Sequence, residues 1–156
     1  MEVIKAPDPW DENDERQFVF LSGSIEMGTA QNWQEKTIEA LQDLDVVILN
    51  PRRDDWDSSW VQSIDNPQFK EQVTWELDAL ETADLVLIHF EPGTKSPITL
   101  LELGLLAQEQ KMVWVSCPEG FWRKGNVDIV CEYYKVHQYD NLAETVAAVR
   151  EHIQLP

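Results

Sequence analysis

The sequence predicts a single α/β domain of the Rossmann-like or flavodoxin-like doubly wound type, built on a five-stranded parallel sheet. Three observations predict it. Short apolar runs alternate with segments of helical periodicity along the whole chain. The first four apolar runs are nearly continuous rather than alternating, as in strands covered on both faces. The length, 156 residues, suits one domain of ~100–200 residues and is enough to bury a core without disulfide staples.

The elements follow in order. Residues 1–16, "MEVIKAPDPWDENDER", are polar and proline-containing and read as a flexible arm. Residues 17–156 form the domain. "QFVFLSG" (17–23) is a buried strand ended by Gly23, and "NWQEKTIEALQDL" (32–44) has helical spacing. "DVVILNP" (45–51) is a second strand, stopped by Pro51. Residues 52–68 form a loop, long enough to suggest function. A helix (69–83) and the strand "DLVLIHF" (84–90) come next. The helix "SPITLLELGLLA" (96–107) precedes the strand "KMVWVSC" (111–117). Residues 118–134 read as irregular or short helix, 134–139 as a weaker fifth strand, and 141–155 as an amphipathic helix with Asn141 at its N-cap. In such folds ligands sit at the carboxyl ends of the strands, near the reversal of strand order.

The composition excludes several functions. With 29 acidic residues against 12 basic ones, the net charge is −17. Such a surface repels phosphate backbones and anionic membranes, so neither nucleic acid nor membrane is an expected partner. No apolar run approaches the ~20 residues that span a bilayer. The first residues lack the basic-then-apolar pattern of a signal peptide. Cys117 and Cys131 form no disulfide framework and suit a reducing, cytoplasmic compartment. The three histidines make no metal-ligand spacing with them, so neither metal nor cofactor is expected. Seven tryptophans are many for this length; most should be core, and one or two should line a pocket for flat rings.

The helix at 96–107 carries the chemical question. Ser96 suits an N-cap and Pro97 the first helical position. Apolar residues cover every face, which predicts a mostly buried helix, yet Glu102 stands among them. A glutamate there either snorkels out, pairs, or lines a cavity. Gly104 allows close approach of another element. Glu76, on the preceding helix, starts near the same sheet edge, so the two carboxylates can meet over one pocket. Carboxylate pairs are a standard solution for glycosidic chemistry. "SGSIEMGTAQN" offers Gly23 and Ser24 to a ligand, but Gly23 and Gly28 lack the dinucleotide spacing. "NPRRDDWD" holds Asn50, Arg52, Asp55 and Trp56. It is either a solvated loop or a pocket wall with a ring for stacking. There is no nucleophile elbow and no phosphate-binding P-loop.

Taken together, "FLSGSIEMG", "NPRRDDWD", "WELDALETADLVLIHF", "SPITLLELG" and "RKGNVDIV" resemble the nucleoside 2-deoxyribosyltransferase superfamily over residues 17–140. The resemblance implies that Glu102 is a nucleophile toward C1′ of a 2′-deoxynucleoside and that Glu76 assists protonation of the leaving base. It implies nucleosides and nucleobases as ligands. Asn126 would reach the sugar of a neighbouring subunit's site, so a homo-oligomer is expected. The sequence departs from the family pattern at several positions. Phe20 stands where a tyrosine is common, removing a hydroxyl that would orient Glu102. Glu76 replaces an aspartate. Ser96 resembles the related branch that hydrolyses 2′-deoxynucleoside 5′-phosphates, while Glu26 replaces that branch's phosphate-loop arginine. The expected activity is base exchange; the alternatives are N-glycoside hydrolysis and a catalytically silent nucleoside-binding domain.

Overall fold

The computed structural model describes residues 1–25, 32–53 and 55–155; Glu26, Gly28 and Asp54 lie outside the described residues. The strands are β1 (Glu2–Lys5), β2 (Gln17–Gly23), β3 (Val46–Asn50), β4 (Leu85–His89), β5 (Met112–Ser116) and β6 (His137–Tyr139). The helices are α1 (Trp33–Leu41), α2 (Pro67–Thr82), α3 (Pro97–Glu109), α4 (Lys124–Tyr134) and α5 (Leu142–Ile153). All neighbouring strands pair in parallel, in the order β1-β3-β2-β4-β5-β6. This is the doubly wound α/β fold expected, with six strands instead of five.

The additional strand comes from the segment read as an arm. Val3 and Ile4 lie in register with Ile48 and Leu49, covering the outer edge of β3. All five β3 residues are buried, so that edge needs a partner for its backbone groups. Downstream, Trp10 packs edge-on against Trp75 at 5.4 Å between centroids, and Trp75 Nε1 donates to the Asp8 carbonyl at 2.8 Å. Residues 1–16 are therefore docked. Polarity misled the reading, because a four-residue edge strand needs only two apolar side chains to hold it.

Two cores flank the sheet, and β2 shows why. Phe18 and Phe20 point to one core with Trp75, Leu103 and Val127, while Val19 and Leu21 point to the other with Trp33, Leu41 and Val149. So α2, α3 and α4 cover one face, and α1 and α5 the other. From β2 the chain winds out to β3 on one side, then crosses to β4 on the other. The reversal of strand order lies between the carboxyl ends of β2 and β4.

Residues 118–134 contain a full helix, α4. Helix α2 begins under the side chain of Asn66, whose Oδ1 accepts from Phe69 N at 3.1 Å, with Pro67 in the first turn. The tryptophans are less buried than expected: only Trp33, Trp75 and Trp114 are core residues, and Trp122 is 53% exposed.

Helix α3 is also not buried all round. Thr99, Glu102, Leu103, Leu106 and Ala107 face inward, while Ile98, Leu101 and Leu105 face outward and are exposed. The glutamate sits on the buried stripe and three large apolar residues sit on the open one. That is the reverse of the usual partition between core and solvent.

Candidate active site

The carboxyl end of β2 supplies the first component. Ser22 follows Phe20 by two residues and so points to the same sheet face. That face is covered by α3, and Ser22 Oγ donates to Glu102 Oε2 at 2.5 Å. Glu102 is 7% exposed. Burial pushes its carboxyl up to about 7; the Ser22 hydroxyl opposes that rise and the charge of Glu76 adds to it. Phe20 itself is fully buried against Trp75, with no surface to offer a ligand. The hydroxyl missing at Phe20 is thus supplied one strand period later by Ser22, which sequence reasoning passed over.

Glu76 is half-buried on α2, and burial raises its carboxyl above the usual range, opposed by a hydrogen bond from Gln72. Gln72 lies one helical turn earlier. Its Nε2 donates to Glu76 Oε1 at 2.8 Å and to the Pro51 carbonyl at 2.9 Å. The two glutamates thus come from neighbouring helices on one face of the sheet and act on each other electrostatically. Such a pair can share a proton, an arrangement that would let one member act as a base or nucleophile and the other as an acid.

A second cluster sits at the start of α3. Ser24 Oγ lies 2.5 Å from Ser96 Oγ and 2.9 Å from Thr94 Oγ1, and the last two are 2.9 Å apart. Thr94 donates to the Glu91 carbonyl and Ser24 Oγ accepts from Glu91 N. Ser96 occupies the N-cap position of α3, but its side chain makes no cap hydrogen bond. Its φ of 45° is left-handed, at a cost of ~1–3 kcal/mol for a residue with a Cβ. This conformation turns its hydroxyl toward Ser24 and Thr94. Behind the cluster, buried His89 joins Ser116 and Glu91, each at 2.9 Å, and burial lowers its pKa.

Gly23 marks a close approach at the strand reversal. A Cβ there would meet the His89 carbonyl and the Trp33 ring, each at 2.5 Å. The remaining candidates divide. Asn50 is buried, and its Oδ1 accepts from Arg52 N at 3.1 Å, which starts the loop after β3. The Arg52 guanidinium reaches Gln34 Oε1 at 3.5 Å. Asp55 is exposed and held by Arg53, which also bonds Glu71 and lies over the Trp60 ring. Trp56 is half-buried and meets Trp60 edge-on at 5.1 Å. Asn126 is exposed in the first turn of α4. It lines a groove of about 320 Å³ with Leu100, Gly104 and Arg123, apart from the contacts of Glu102 and Glu76.

The structure therefore sets Glu102 beside Ser22 and within electrostatic reach of Glu76, which Gln72 holds, and separately gathers Ser24 and Ser96 with Thr94. Two of the unforeseen residues had a readable signal: Ser22 shares the face of Phe20 by period two, and Gln72 precedes Glu76 by four.

Among solved structures, the fold is similar to a crystal structure of a conserved protein from Enterococcus faecalis V583. The two are 13% identical, with 87% of each chain covered and a TM-score of 0.50. No curated protein matches the sequence. Residues 16–121 match the family described as nucleoside 2-deoxyribosyltransferase like. That match spans more than half of the chain, and the protein belongs to this nucleoside 2-deoxyribosyltransferase-like family.

Proposed function

We propose that the protein exchanges the base of 2′-deoxynucleosides through a covalent deoxyribosyl–Glu102 intermediate. The observation that carries this reading is the buried Glu102 carboxyl, hydrogen-bonded by Ser22 and within electrostatic reach of a second carboxyl, Glu76, that burial also raises above the usual range. The ionised Glu102 attacks C1′, the C1′–N bond breaks, and its electron pair leaves with the base. Glu76 gives its proton to that base. A second base then attacks C1′ through a ring nitrogen, the ester bond to Glu102 breaks, and Glu76 recovers a proton. Family membership supports nucleosides and nucleobases as ligands.

Water in place of the second base gives hydrolysis. One observation favours this second reading: the Ser24, Thr94 and Ser96 hydroxyls gather at the N-terminus of α3, a place suited to a 5′-phosphate. A homo-oligomer belongs to either version: α3 exposes Ile98, Leu101 and Leu105, and the neighbouring α4, which lines a groove with α3, exposes Asn126.

The test is a chromatographic assay of wild type and Glu102→Ala with 2′-deoxyadenosine, with and without cytosine. Deoxycytidine formed only by the wild type is the expected result. Free adenine without deoxycytidine selects hydrolysis, and undiminished turnover by Glu102→Ala overturns the mechanism.

A further inference from the structure

Among the described residues, Gln72 Oε1 is a shielded acceptor that receives no hydrogen bond, in a residue only 4% exposed. Its orientation is determined. Gln72 Nε2 points at the Pro51 carbonyl, which can only accept, and at a Glu76 carboxyl oxygen. Flipping the amide would set oxygen against oxygen at Pro51. The glutamine therefore has only an acceptor left to offer. A buried acceptor without a donor is costly, and a ligand that brings one relieves the cost.

Resting on the reading of Glu76 as the acid that meets the leaving base, we infer that Gln72 and Glu76 together read the edge of that base. They select 2′-deoxynucleosides with an exocyclic amino group beside an acceptor ring nitrogen, as in 6-aminopurines and 4-aminopyrimidines. The protonated Glu76 donates to the ring nitrogen, and Gln72 Oε1 accepts from the amino group. A 6-oxopurine or a 4-oxopyrimidine sets a carbonyl oxygen against Gln72 Oε1, and two acceptors repel. A ligand reaches the acceptor by displacing the side chains that cover it.

The experiment compares 2′-deoxyadenosine with 2′-deoxyinosine, which differ in the amino or oxo group at C6 and in the proton that 2′-deoxyinosine carries on N1. Turnover is measured as kcat/KM on the wild type, and binding by calorimetry on Glu102→Ala. The expected result is a preference for 2′-deoxyadenosine of roughly tenfold or more in both readouts. In Gln72→Met the ratio should collapse toward one; a ratio kept intact there overturns the inference. If that variant fails to fold, the wild-type ratio still decides. Turnover without preference overturns the inference and leaves the proposed activity standing. Preferential binding without turnover does the reverse. Binding of neither nucleoside overturns both.

Discussion

Glu102 carries a pH dependence of stability that follows from its burial. Its carboxyl has a folded-state pKa raised from 4.5 to about 7. Between these values the folded chain binds a proton that the unfolded chain has lost. Stability is therefore fully present below about pH 4.5, falls as the pH rises toward 7, and stays reduced above it. The full loss is about 3 kcal/mol. Glu102→Gln keeps the shape and removes the charge. It should match the wild type near pH 4.5 and exceed its stability by up to about that amount near pH 8. Denaturant titrations at the two pH values check this; an equal difference at both would show that the carboxylate is not strained by burial. A buried acid that destabilises the fold at neutral pH is the expected cost of the catalytic role proposed for Glu102.

At the scale of elements, β1 and α3 both departed from their reading, for related reasons. Apolar periodicity tells which face of an element differs from the other, but not what covers each face. In β1, Val3 and Ile4 are too few to signal a strand, and the need they meet lies on β3, more than 40 residues along the chain. Deleting residues 1–10 should uncover the β3 edge and Trp75. The expected outcome is a lower melting temperature and concentration-dependent aggregation, read by thermal denaturation and light scattering. An unchanged melting temperature would show that the segment adds no stability. In α3, apolar residues all round suggested a mostly buried helix, whereas Ile98, Leu101 and Leu105 are exposed and, among the described residues, belong to neither core.

At the scale of the molecule, that exposed row asks for cover. Ile98, Leu101 and Leu105 are 58%, 60% and 44% exposed, and Ile129 and Tyr133 on neighbouring α4 are 68% and 76% exposed. Apolar exposure on this scale suits the association surface that the proposed homo-oligomer would need. Leu101→Asp places a charge in the row without touching the core. It should convert an oligomer into a monomer in size-exclusion chromatography with light scattering, with the melting temperature falling only as far as lost association requires. A wild type that is already monomeric would remove the shared-site part of the proposed function.

The alternation of strands and helices, the parallel sheet, and the placement of Glu76 and Glu102 on two helices of one sheet face were legible in the sequence, because they rest on local periodicity. Phe20 shows the limit of that reading: it was placed at a ligand, and packing put it wholly in the core. The missing hydroxyl returned as Ser22, whose strand face follows from period two but whose contact with Glu102, 80 residues on, does not. The single free acceptor of Gln72 was equally hidden, since its amide is oriented by the Pro51 carbonyl 21 residues earlier. The order of elements and the identity of the acids follow from what each stretch of chain does alone. Which hydroxyl faces Glu102, which side of α3 lies open and which edge β1 closes depend on residues distant in sequence, so only tertiary packing decided them.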